Sequence, residues 1–154
     1  GVIYVGAATE VEMVEKKHRI EDALEAVRAA QDDGVVPGGG ATLARIARGL
    51  DSEDYIGLSS EAERAGFNLL KQTICIPMTK ILQNAGINHE EVLEALYTEH
   101  FENDNFGFDV LNEKFVDMVK EGIIDPAKVT KNALINAVSV SGILLTTNCA
   151  IIEK

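Results

Sequence analysis

Three consecutive glycines, Gly38 to Gly40 in "DDGVVPGGGATLARIARGL", stand directly ahead of a stretch with helical spacing. Glycine costs about 1 kcal/mol relative to alanine in a helix interior, so a run of them at a helix mouth asks for a reason. N–H groups at a helix N-terminus, backed by the positive end of the dipole, suit an anion such as phosphate, and absent side chains let a ligand approach. The run matches neither G-x-x-x-x-G-K-[ST] nor G-x-G-x-x-G, so an inter-helix turn is the favoured reading of the residues alone. Asp22 lies where its surroundings turn apolar ("IEDALEAV"). A carboxylate on that side needs a partner, a metal or a water to act on; a solvated residue beside Glu21 is the equal alternative. Asp125 before Pro126 has the pattern of an N-cap followed by proline at the first helical position. Asp109 reads as the cap of a helix beginning near Val110 or Leu111. His18, His89 and His100 are scattered and no C-x-x-C occurs, so no zinc site is expected. No Ser–His–Asp or Cys–His arrangement is visible.

The chain of 154 residues is long enough for one domain with its own core. Acidic residues number 25 against 14 basic, a formal net charge of −11. That balance argues against a nucleic-acid surface and against an anionic membrane face, and suits a soluble, self-repelling surface. Cys75 and Cys149 both sit in apolar runs and are expected to be buried free thiols, in keeping with a reducing, cytoplasmic setting. "ALINAVSVSGILLTTNCAII" is apolar, but its Asn, Ser and Thr residues favour a buried core helix over a membrane span. The N-terminus lacks the basic-then-apolar pattern of a secretory leader. Both ends lie inside apolar β-type runs, "VIYV" and "CAIIEK", as in a piece of a longer chain.

These residues must be positioned by mostly helical elements. Val2 to Val5 reads as a short strand. Thr9 and Glu12 have capping-box spacing ahead of a helix from Val11 to about Gln31, charged in its first half, alanine-rich and core-packed in its second, with Gly34 at the C-cap. A second helix spans about Gly39 to Leu50, with Leu43, Ile46, Ala47 and Leu50 inward, and "DSEDYIGLSS" is a polar loop. Ser60 and Glu63 form another capping box, opening a helix that is expected to kink at Pro77 and continue to Gly86. Asn88 with Glu91 starts a short helix to about Tyr97. "TEHFENDNFGFD" is a loop or hairpin in which "NFGF" alternates enough for a strand. Asn112 to Glu121 reads as a helix, and a last, central buried helix follows Pro126 to about Asn148. The expected class is mainly α with short β pieces, without internal repeats.

"VGAATEVEMVEKKHRIEDALEAVRAAQDDGVVPGGG", "FGFDVLNEKFVDMVKEGIIDPAKVTKNAL" and "SVSGILLTTNC" closely resemble the group I chaperonins, the GroEL type. The strings occur in the family's order and near its spacing over nearly the whole chain, with a looser fit from Gly49 to Asn105. The resemblance implies the C-terminal part of the intermediate (hinge) domain over 1–33 and the C-terminal half of the equatorial ATP-binding domain over 34–154. The fold implied is the equatorial helical bundle with a long intermediate-domain helix. It implies that Asp22 orients or activates the water attacking ATP, and that Gly39 contacts the nucleotide while Gly38 and Gly40 shape the turn. It also implies that Asp125 holds the ribose hydroxyls, that Asp109, Val110 and Leu111 line the adenine and ribose side, and that Ile123 packs on the base.

The implied ligands are ATP or ADP with magnesium. The magnesium aspartate and the phosphate-binding "GDGTTT" motif lie in a half of the equatorial domain that has no counterpart here. The implied partners are ring subunits of the same kind, with unfolded clients and a lid co-chaperonin engaged through an apical domain that is also absent. Without metal and phosphate positioning, the chain alone is expected not to hydrolyse ATP. Departures from the family pattern occur at Pro37, in "TEHFENDNFG" and at Asn148, as in a divergent member. "CAII" would begin the strand that pairs with a neighbouring subunit, and an uncovered edge there can recruit a second copy. The alternative is a stand-alone chaperonin-like binding or structural module without ATPase activity. A third reading, an unrelated helical phosphate-binding protein, requires Asp22, Asp125 and the glycines to lie far apart.

Overall fold

The computed structural model describes residues 1–50, 57–98 and 103–151. The polar loop expected at 51–56, the first part of the loop after Thr98 including His100, and the last three residues lie outside them. The described residues are mainly α: α1 (Glu10–Asp33), β1 (Val35–Pro37), α2 (Ala41–Gly49), α3 (Glu61–Thr73), α4 (Ile76–Asn84), α5 (His89–Thr98), β2 (Phe106–Asp109), β3 (Lys114–Asp117), β4 (Ile124–Pro126) and α6 (Ala127–Thr146). They divide into two compact units, one of 36–125 and one of 1–35 with 126–154.

The 36–125 unit holds the core. Ala44, Met78, Leu82, Val92 and Leu96 form its buried centre, with Phe108, Val110 and Phe115 of the hairpin packed against it. The hairpin is β2 and β3, antiparallel, in the register Phe106 with Asp117, Gly107 with Val116, Phe108 with Phe115 and Asp109 with Lys114. The rings of Phe108 and Phe115 meet edge to face with centroids 5.1 Å apart. α3 opens with the expected capping box: Ser60 Oγ accepts from Glu63 N, and the Glu63 carboxylate accepts from Ser60 N. Asn88 Oδ1 accepts from Glu90 N, which starts α5.

Several sequence expectations are corrected in this unit. The stretch over 112–121 is not a helix. Phe115, Met118 and Val119 satisfy helical spacing, but the alternation of β2 supplies a strand partner that captures Lys114 to Asp117. Nor is there one helix kinked at Pro77. α3 ends at Thr73, and α4 is a separate helix with Pro77 in its first turn, where its missing N–H costs nothing. In α2 the buried residues are Ala41, Ala44, Arg45 and Ala47, whereas Ile46 is exposed. At the start of α2 the approach of α4 leaves no room for a large residue: a Cβ placed on Gly40 would stand 2.7 Å from Met78 N.

In the other unit Thr9 Oγ1 accepts from Glu12 N and caps α1, and Gly34, at φ 82°, closes it by donating to Ala30 O. α1 packs against α6. Lys128 Nζ lies 2.6 Å from Asp32 Oδ2, and Ala127 N donates to Gly34 O, so the start of α6 is tied to the end of α1. Neither helix has a buried residue. The expected central buried helix is therefore an exposed one here, and the alanine-rich end of α1 reaches only half-burial at Ala26, Ala29 and Ala30. α6 is long and apolar enough to cross a membrane by length and composition. Val2 to Val5 and residues 149–151 form no strand. Cys149 is exposed and Cys75 half-buried at the edge of the core, against the expectation of two buried thiols.

Candidate functional site

The glycine run is the turn that carries β1 into α2. β1 pairs with β4, and Gly38 N donates to Ile123 O at 3.0 Å, extending that pairing by one rung. Thr42 Oγ1 donates to Pro37 O at 2.8 Å and ties the first turn of α2 back to the strand. Each glycine has its own reason. A Cβ on Gly38 would stand 3.2 Å from the backbone of Ile123 and Ile124, so two strands run too close for a side chain. Gly40 combines φ 77° with the close approach of α4. Gly39 has φ 64°, and a Cβ there would meet Met118 Cε at 3.5 Å and no backbone atom within 4 Å. Gly38 and Gly40 are thus explained by the protein's own close packing, and Gly39 by its positive φ alone, since a Cβ there would make only ordinary contact with Met118.

The remaining predicted residues of this unit fall on the neighbouring elements. Ile123, half-buried, is bonded directly to Gly38 through its carbonyl. Asp125 lies in β4, half-buried. It is not the N-cap: that position belongs to Pro126, because β4 continues one residue further before α6 begins. Val110 is half-buried beside the core, and Leu111, at the hairpin tip, is 95% exposed.

Asp109 does not cap a helix. Its Oδ1 accepts from Leu111 N at 2.9 Å and Asn112 N at 3.2 Å, and its Oδ2 accepts from Asn112 Nδ2 at 2.6 Å. The turn between β2 and β3 is built on this carboxylate. The Asn112 side chain above all, then the backbone N–H groups of Asn112 and Leu111, hold it below the ordinary carboxylate range, against the opposing effect of burial. Asp109 is 7% exposed, and both its oxygens are committed to the loop. Its contribution is to shape the Val110–Leu111 tip rather than to offer a free ligand oxygen.

Asp22 belongs to the other unit, exposed on α1. The fold thus gathers Gly38 to Gly40, Ile123, Asp125 and the Asp109–Leu111 turn within one unit and leaves Asp22 on a separate one. Among the described residues no group of three or more His, Cys, Asp or Glu is placed to hold a metal ion.

Three residues escaped the sequence reading. Arg45, 8% exposed on α2, donates through Nε to Phe106 O at 2.9 Å and fastens α2 to β2; burial pushes its guanidinium down from its ordinary value. Gly107 lies in β2, where a Cβ would stand 2.7 Å from Met118 Cγ and 2.9 Å from Ala41 Cβ. Met118, 1% exposed, fills the space between Gly107 and Gly39. A lone glycine inside the alternating "NFGF" was the one available signal, since glycine within a strand marks a close approach.

The comparisons with known proteins agree with this architecture. A family model described as the TCP-1/cpn60 chaperonin family matches residues 1–154. A crystal structure of a group III chaperonin in the open state is similar at 34% identity with a TM-score of 0.80, over 96% of this chain and 30% of that one. The chain therefore spans about a third of the length of that relative, which is a group III rather than a group I member of the family. The chain belongs to the TCP-1/cpn60 chaperonin family.

Proposed function

We propose that this chain carries one wall of the ATP site and the hinge helix of a chaperonin subunit, which uses ATP hydrolysis to assist protein folding within a ring of like subunits. The observation that carries the reading is the glycine turn itself: it is hydrogen-bonded to Ile123, leads into the N-terminus of α2, and has at Gly39 a residue that no close backbone contact requires to be glycine. In this reading the phosphates lie toward that N-terminus. The adenine lies against Ile123 and the Val110–Leu111 tip, and the Asp125 carboxylate accepts from the ribose hydroxyls. Asp22 rides on α1 and takes a proton from the attacking water when the hinge closes. Residues 1–33 then belong to the hinge and 34–154 to the equatorial domain. Magnesium, where bound, neutralises phosphate charge; its ligands and the phosphate loop come from parts of the subunit outside this chain, and the 154 residues alone do not turn over ATP. Clients and a lid co-chaperonin engage elsewhere on the subunit, in the cytoplasm.

The test uses the native gene product carrying this chain. Asp22→Ala is expected to lower kcat by about 100-fold or more, the usual worth of a positioned proton acceptor, while ADP affinity is retained. Asp125→Ala is expected to weaken nucleotide binding instead. A native product that binds no nucleotide overturns the reading. Normal binding with no magnesium-dependent turnover favours a binding module in its place.

A further inference from the structure

We infer that Met118 is a positioning residue for nucleotide binding, setting the distance between the glycine turn and the β2–β3 hairpin that carries the Val110–Leu111 tip; the inference rests on the ATP-site reading above. Three observations converge on it. Its side chain is buried at 1% exposure and spans the gap: Cε lies 3.5 Å from where a Cβ of Gly39 would be, while Cγ and Sδ lie 2.7 and 3.0 Å from that of Gly107. Gly107 is thus a strand residue stripped of its side chain where Met118 passes. The backbone of Met118 is the middle of a hydrogen-bonded chain joining the hairpin to the glycine turn. Met118 N donates to Asn105 O at 2.8 Å, Ile123 N donates to Met118 O at 2.8 Å, and Gly38 N donates to Ile123 O at 3.0 Å. The hairpin is in turn seated on α2 through Ala41 under Gly107 and through Arg45 on Phe106.

The two walls suit different parts of a nucleotide. The turn at Gly39 opens α2 and suits the phosphates. The apolar side chains of Val110, Leu111 and Ile123 suit the base. A ligand touching both is sensitive to their separation, and a ligand touching one is not. A buried, unbranched side chain that passes close under Gly107 and reaches toward Gly39 transmits a change in its own shape to both walls, because packed interiors hold little slack.

The experiment compares ADP, adenosine and pyrophosphate binding by calorimetry in the native gene product, wild type against Met118→Leu. Leucine keeps the volume but branches at Cγ and has no atom in the place of Cε. ADP affinity is expected to fall about tenfold, the scale of a sub-ångström misplacement. Adenosine and pyrophosphate are expected to keep their affinities within about twofold, as independent contacts do. Met118→Ala serves as a second variant should leucine disturb folding, and cooperative thermal unfolding identifies which variant to read. An equal loss for all three ligands in a folded variant assigns Met118 a merely structural role and overturns the inference, as does unchanged ADP binding. Absence of ADP binding in the wild type overturns the ATP-site reading and this inference together, and is visible before any substitution is made.

Discussion

The two units of this chain invert the usual link between apolar sequence and burial. α6 is the most continuously apolar stretch of the chain, and Ile143, Leu144 and Leu145 on it are 64%, 69% and 85% exposed. α2 has three alanines, two arginines and three glycines at its mouth, and it buries four residues. The difference lies in what stands opposite each helix. α2 has α4 on one side and the hairpin on the other, both brought close by glycines at 40 and 107. α6 has α1, whose alanine-rich end covers one strip of it. Hydrophobic residues supply a driving force in proportion to the area they can remove from water, and that area is set by the partner.

The largest contrast is expected from one substitution made in each unit. Leu82→Ala empties a fully buried position in the core and should destabilise the 36–125 unit by about 2–5 kcal/mol. Leu144→Ala on α6 should change stability by less than about 0.5 kcal/mol, the range for surface positions. Urea unfolding of the chain, with circular dichroism as the probe, measures both. A loss above about 1 kcal/mol for Leu144→Ala would mean that α6 is covered in solution, and the contrast between the units would then be one of partners present and absent rather than of packing.

A smaller contrast separates two glycines of positive φ. Gly40→Ala meets both an unfavourable φ, worth about 1–2 kcal/mol, and the backbone of Met78 at under 3 Å, so overpacking adds about 1–3 kcal/mol more. Gly34→Ala has the same φ problem at 82° but nothing within 4 Å. Its cost should stop at the φ term of about 1–2 kcal/mol. Equal costs at the two positions would show that α4 can move away from α2, and that Gly40 is there for φ alone.

Much of this was legible in the letters where the determinants are local. Thr9 with Glu12 and Ser60 with Glu63 announced two helix starts, and Gly34 announced an end, because caps depend on residues three or four apart. The resemblance placed the chain in its family through long strings that survive in order. What was not legible depends on partners distant in sequence. The 112–121 stretch satisfies both helical and strand spacing, and only the presence of β2 decides between them. Asp109 was read as a helix cap for the same reason: its acceptor geometry is right for a turn of either kind, and the strand on its far side makes it a hairpin turn. The inward face of α2 followed from the approach of Met78, which no feature of "ATLARIARG" encodes. As for the site, the glycine run and Ile123 were legible from the resemblance, whereas Met118 between them required coordinates.

The smallest expected effect distinguishes the units by the direction in which pH loosens them. In the hairpin, Asp109 is held below the ordinary carboxylate range chiefly by the Asn112 side chain, and Asp117 chiefly by the Lys120 side chain, whose Nζ lies 2.9 Å away. A depressed carboxyl contributes stability that is present above its unfolded value and is lost as pH falls through the folded one. At the start of α6 the sign is opposite. Lys128 is raised above its ordinary 10.5, first by its hydrogen bond to Asp32 and then by that residue's charge. A raised ammonium contributes stability that is present below the unfolded value and lost as pH rises through the folded one. Amide hydrogen exchange, corrected for intrinsic rates, should therefore show the Leu111 and Asn112 amides losing protection on acidification below about pH 4, the ordinary aspartate value. The first turn of α6 should lose protection only on the alkaline side, above about pH 10.4. Asp109→Asn should flatten the acid response of the hairpin and leave α6 unchanged. Because the Lys128–Asp32 pair is exposed, salt should weaken its effect more than that of the buried Asp109 turn. If acid released both regions together, the hairpin and the α1–α6 pair would share one cooperative transition, and their difference in burial would carry no difference in local stability.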